Sequence, residues 1–127
     1  MADKVGMSSV RVHTYGCNDE QIWVQSSLAP TYRLQRRAKE DFSFTNTDIA
    51  LVSNRGGDIS PVMLECVRAG TVGLFVGSNR RGGFPLREGQ SKLIQMKPGE
   101  VLTVRDIDAR EKMTGVEMRP GQSVVMG

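Results

Sequence analysis

Residues 72–86 read Val-Gly-Leu-Phe-Val-Gly-Ser-Asn-Arg-Arg-Gly-Gly-Phe-Pro-Leu, and this stretch indicates the fold class. Short apolar segments lie on either side of a turn rich in Asn and Gly, which tolerate positive φ. The same arrangement recurs along the chain, where segments with β-branched residues alternate with Gly, Pro, Asn and Asp. Helical periodicity is hard to find, so the pattern predicts an antiparallel, all-β protein.

About eight short strands are predicted, with little helix. This number exceeds what one flat sheet of this size usually holds, so we expect an antiparallel β-sandwich of the jelly-roll or Ig-like kind, or a barrel. We also expect residues 63–67 and 72–76 to form a hairpin and residues 106–112 to make one helical turn. The remaining predicted strands cover residues 10–15, 22–24, 49–52 and the ends of the ambiguous segment 32–44.

Three similar turn motifs occupy the last third of the sequence. They begin at Leu86, Met96 and Met118, and each combines a basic residue, Pro or Glu, and Gly before an apolar segment. Pro or Glu followed by Gly suits the two central positions of a type II turn, whose third residue has positive φ. The repeat therefore predicts turns that lead into strands.

The chain has 127 residues and a mass of 14.0 kDa, which fits one domain. We expect an N-terminal arm over residues 1–9 and a single domain over residues 10–127. The first residues do not resemble a secretory signal, and no apolar run approaches the roughly 18 residues needed to span a bilayer. Cys17 and Cys66 have no close-spaced motif and are predicted to be free thiols.

Residue types that support catalysis or metal binding are scarce. His13 is the only histidine, and its alternation with Arg11 and Tyr15 favours a strand surface. Asp106, Asp108 and Glu111 lack a calcium-loop pattern and are interpreted as a solvated turn. No enzyme activity, cofactor or metal is therefore expected.

The charge pattern favours protein contact over nucleic-acid contact. The formal net charge is only +3, and the two Arg-Gly-Gly triplets lie between apolar segments instead of in a repetitive tract. Trp23 is interpreted as a core residue. Aromatic residues and arginine are enriched at interface centres, so the predicted interface set comprises Arg36, Arg37, Arg80, Arg81 and Phe84.

Residues 44–104 carry a resemblance to a known class of protein. A strand ending at Asn54 is followed by a strand ending in Val76-Gly77-Ser78, then Gly82-Gly83-Phe84-Pro85-Leu86, and finally the turn Met96-Lys97-Pro98-Gly99-Glu100. This order resembles small β-sandwich structural proteins of tailed bacteriophages.

The resemblance implies a virion structural protein, with a capsid cement or decoration subunit as the leading hypothesis. Such a protein would be assembled in the host cytoplasm into the virion. Its partners would be the major capsid protein or other virion proteins, with homo-oligomer or lattice contacts and no membrane. The alternatives are a head–tail or tail ring module, a jelly-roll carbohydrate-binding protein or enzyme, and a host β module with a protein partner.

Overall fold

The computed structural model describes residues 7–14, 21–26, 41–45 and 48–107. These residues form an all-β sandwich of two antiparallel sheets, as the sequence predicted. The strands are β1 (Met7–Thr14), β2 (Ile22–Ser26), β3 (Asp41–Thr45), β4 (Ala50–Asn54), β5 (Ser60–Arg68), β6 (Leu74–Ser78), β7 (Phe84–Leu86), β8 (Ser91–Met96) and β9 (Val101–Asp106).

The first sheet has the strand order β3-β1-β5-β8, and the second has the order β2-β4-β9-β6-β7. Only β6 and β7 follow one another within the same sheet; every other connection between these strands leads from one sheet to the other. Such crossing connections are typical of jelly-roll sandwiches. As a result, loops gather at the two ends of the sandwich.

Alternation of side chains builds the core between the sheets. Val10 and Val12 of β1 and Val62 and Leu64 of β5 point inward, and their neighbours along each strand are only partly buried. Inward residues of the second sheet complete the core, so each strand contributes one face. Fully buried examples from the second sheet are Ile22, Ala50, Val52, Leu74, Val76, Leu102 and Val104.

The predicted hairpin between residues 63–67 and 72–76 is wrong. β5 pairs with β1 and β8, whereas β6 pairs with β9 and β7. The intervening residues carry the chain from the first sheet to the second. Both segments have the alternation that suits a core-facing strand, and the short spacing that favours a hairpin also suits a crossing turn.

The predicted N-terminal arm overlaps the first strand. Met7 pairs with Thr45, and the Ser8 side chain is buried, so residues 7–9 belong to β1. Two of the three predicted turns are confirmed: Gly89 and Gly99 have φ of 89° and 80°. The third motif, at residues 118–122, lies outside the described residues, as do residues 108–112 of the predicted helical turn; Asp106 itself ends β9.

Candidate interaction surface

Three loops meet at one end of the sandwich, which we call the tip: residues 55–59, 79–83 and 97–100. These loops join β4 to β5, β6 to β7 and β8 to β9. The strand ends beside them are paired, Ser53 with Val101, Ser78 with Leu102, and Ser60 with Met96, so the loops lie at the same end. The tip therefore brings together segments that are up to some forty residues apart in the sequence.

A buried asparagine at the end of β4 holds the first loop. The Asn54 side chain is 1% exposed, and its Nδ2 donates to the carbonyl oxygens of Asp58 at 2.9 Å and Met96 at 3.0 Å. Its Oδ1 accepts from the Gly56 amide at 3.0 Å and from Gln21 Nε2 at 3.2 Å. One side chain thus fixes the 55–59 loop against β8, and no hydrogen-bonding atom of its amide is left unpaired.

The backbone of Asn54 also joins the 97–100 turn. Its amide donates to the Glu100 carbonyl at 3.0 Å, and its carbonyl accepts from the Gly99 amide at 2.9 Å. Asn79 binds the same turn from the other side, because its Oδ1 accepts from the Val101 amide at 2.8 Å and its Nδ2 donates to Gly99 at 3.2 Å. The turn is consequently clamped between the two other loops.

A fully buried carboxylate lies beneath the tip. Glu100 accepts from Arg81 Nε at 2.8 Å and Nη2 at 2.7 Å, from Ser78 Oγ at 2.6 Å and from the Lys97 amide at 2.9 Å. Burial by itself would raise the pKa of Glu100, but these hydrogen bonds and the Arg81 charge outweigh burial and lower it. Glu100 is therefore ionised at neutral pH and holds the 79–83 loop.

The predicted interface arginines differ in their surroundings. Arg81 is mostly covered, and besides Glu100 it binds the Gln95 carbonyl at 2.7 Å, so its contacts are internal. Arg80 is exposed and donates to the Pro98 carbonyl at 3.1 Å. Arg36 and Arg37 lie outside the described residues.

Phe84 belongs to the predicted interface set, which requires an exposed side chain, and the structure contradicts that exposure. Its side chain is 1% exposed and lies in the core, since β7 points Phe84 and Leu86 inward and Pro85 outward. The glycines before Phe84 belong to the turn, but the phenyl ring belongs to the strand that follows it.

Trp23 was predicted to lie in the core, and it lies instead on the outer face of the second sheet, half-buried. The Arg55 guanidinium is stacked over its ring at 4.9 Å from the centroid, and Arg55 also donates to Gln25 Oε1 at 3.2 Å. A cation over the face of an indole is an attractive arrangement. Arg55 is thus oriented at the border of the tip while remaining exposed.

Sequence reasoning missed the two buried polar residues that organise the tip, Asn54 and Glu100. The sequence pattern predicted Asn54 as the end of a strand and Glu100 as part of a turn, with no structural role for either side chain. The sequence did contain a signal for Glu100. Leu102 and Val104 point inward, and Glu100 lies two residues before Leu102, so the alternation of side chains predicts that its carboxylate also points inward. An inward carboxylate requires a partner, and the nearby arginines were the available cations.

The opposite end of the sandwich contains a second buried polar group. Ser8 Oγ donates to Asp106 Oδ1 at 2.5 Å and accepts from the Gly70 amide at 2.9 Å, which links β1, β9 and the crossing turn. Burial raises the pKa of Asp106, and the hydrogen bonds from Ser8 and Gly70 offset this only in part. Burial likewise raises the pKa of the Cys66 thiol to about 12.

Within the described residues, no group of three or more His, Cys, Asp or Glu side chains is placed to hold a metal ion. Over the same ranges, no helix has the length and apolar character needed to cross a membrane. No protein-family model matches the sequence, and neither the curated proteins nor the solved structures include a match.

Proposed function

We propose that this protein is a virion structural protein, a cement or decoration subunit that binds the assembled capsid through its tip and acts by contact, without catalysis. The proposal rests on the positions of the motifs that resemble those of phage structural proteins. Asn54, Ser78, Gly82-Gly83 and Pro98-Gly99-Glu100 are far apart in the sequence and converge at the tip.

The physical character of the tip supports a binding role. Its loops are fixed by hydrogen bonds from buried or partly buried side chains, so little conformational entropy would be lost when a partner binds. A subunit that binds only the assembled shell stabilises that shell by mass action. A rigid set of loops on a β-sandwich is well suited to this task.

The test is size-exclusion chromatography with light scattering on the purified chain, alone and mixed with candidate capsid shells. We expect a monomer or small oligomer that co-migrates with the shells. A large closed ring without shell binding would favour the tail-module alternative. A chain that binds neither shells nor itself would contradict both virion roles.

A further inference from the structure

We infer that the tip recognises an acidic protein surface. The identity of the partner as a capsid rests on the proposed function, whereas the chemistry of the partner follows from the charges of the tip. Arg55, Arg80 and Lys97 are exposed there, and Asp58 is the one exposed acidic residue among the described residues of these loops.

The ion pair between Arg81 and Glu100 leaves this excess of exposed positive charge in place. Glu100 is neutralised by Arg81 inside the tip, so it does not offset the exposed cations. The three exposed cations lie on three different loops, and two are held in place: Arg55 by Trp23 and Gln25, and Arg80 by Pro98. Cations held in this way favour a complementary acidic surface and give it a preferred orientation.

An exposed isoleucine distinguishes a protein partner from a nucleic acid. Ile59 is 52% exposed on the 55–59 loop, next to Asp58. An apolar side chain beside cations is typical of protein interfaces. Nucleic-acid sites depend on many phosphate contacts and on aromatic rings available for stacking, whereas Trp23 at this border is already stacked under Arg55.

Two charge-reversal variants with equal net charge separate the tip from the rest of the surface. The first is Arg80→Glu with Lys97→Glu at the tip. The control is Arg68→Glu with Arg87→Glu, two exposed arginines at the opposite end of the sandwich. Each double variant changes the formal net charge from +3 to −1, so a difference between them reflects position and not total charge.

Binding is measured to a surface coated with poly-L-glutamate, to single-stranded DNA of mixed sequence, and to capsid shells. A melting curve for each variant checks folding. We expect the chain to bind poly-L-glutamate, with affinity falling about tenfold or more in the tip variant and changing little in the control. Added salt weakens the binding, because these charges are solvent-exposed.

Equal loss in both variants, or no binding of the natural sequence to poly-L-glutamate, would overturn the inference. Tighter binding to DNA than to poly-L-glutamate would overturn it in favour of a nucleic-acid partner. If poly-L-glutamate binding depends on the tip but shells are not bound, the inference stands and the proposed capsid function fails. If shells are bound equally by both variants, the capsid function stands and the inference fails.

Discussion

At the scale of single residues, the two ends of the sandwich contain carboxylates with opposite behaviour. Glu100 is buried with four donors around it, and Asp106 is buried with fewer. Among the described groups, Asp106 Oδ2 is a buried oxygen without a hydrogen-bond partner. The first carboxylate is stabilised in its charged form, and the second is stabilised in its neutral form.

Replacing Glu100 should be costly. In Glu100→Gln, Arg81 loses its bidentate partner and a buried amide takes the place of a carboxylate that accepts four hydrogen bonds. We expect the free energy of unfolding to fall by about 2–4 kcal/mol, measured by urea denaturation. The control Asp58→Asn makes the same chemical change at an exposed site and should alter stability by less than about 0.5 kcal/mol. Equal effects would contradict the structural role of Glu100.

Lowering the pH should reduce the contribution of Glu100 to folding stability and increase that of Asp106. The pKa of Glu100 is lower in the folded state, so its stabilising contribution is present above its unfolded pKa and is lost as pH falls through the folded pKa. The pKa of Asp106 is higher in the folded state, so its contribution is present below its unfolded pKa and is lost as pH rises through the folded pKa.

Asp106→Asn should therefore abolish the part of the stability loss that the natural protein shows as pH rises above the ordinary aspartate pKa of about 4. The measurement is the urea midpoint as a function of pH, with and without the substitution. Parallel pH profiles for the two proteins would show that Asp106 titrates alike in the folded and unfolded states, contrary to its burial.

Cys66 should be unreactive while the protein is folded. Its side chain is fully buried, and a pKa of about 12 keeps the thiol protonated at neutral pH. The natural sequence and Cys66→Ala should give the same number of thiols reacting with Ellman's reagent under native conditions. After denaturation they should differ by one. A native difference would mean that Cys66 is accessible.

At the scale of elements, two turns have the backbone conformation that their local sequences predict. In the 97–100 turn the Glu100 amide donates to the Lys97 carbonyl at 2.9 Å, and in the 87–90 turn the Gln90 amide donates to the Arg87 carbonyl at 2.9 Å. Gly occupies the third position of both, with positive φ. The same backbone conformation is thus used once at the tip and once at the opposite end.

Substituting the two glycines separates backbone strain from crowding. Gly89→Ala places a Cβ in open space, so it should cost only the strain of positive φ, about 1 kcal/mol. Gly99→Ala has the same strain, and its Cβ would lie 2.8 Å from Arg80 Nη2. We expect a further loss of binding to poly-L-glutamate in Gly99→Ala alone, because Arg80 must move. Stability is measured by thermal unfolding, and equal binding by the two variants would contradict this role of Arg80.

The sequence predicted elements better than their partners. Alternation around Val10 and Val12 and the Gly-containing turns identified strands and turns correctly, since these features depend on neighbours within a few residues. The supposed hairpin and the supposed exposure of Phe84 failed because strand pairing and burial depend on residues distant in the sequence. Arg81 was predicted as an interface residue, and the structure shows that its charge is paired internally with Glu100. The parity of Glu100 with Leu102 indicates an inward carboxylate, but not which arginine pairs with it.

At the scale of the whole molecule, the sheet order makes a late strand essential. β9 lies between β4 and β6 and pairs with both. A chain that ends at Glu100 would leave both neighbours without their shared partner and remove Leu102 and Val104 from the core. We expect this truncated chain to lack a cooperative thermal transition by circular dichroism. A sharp transition near that of the full chain would contradict the topology.

The position of β9 has a consequence for synthesis on the ribosome. The second sheet cannot close until residue 106 has left the exit tunnel, so β4 and β6 emerge with exposed edges and must wait for a strand made after both of them. While the ribosome is still making β9, the unpaired edges of β4 and β6 are exposed to other nascent chains on the same messenger RNA. The growing polypeptide is therefore most prone to co-translational aggregation before β9 is available, and a translational pause placed shortly before β9 should lower its soluble yield.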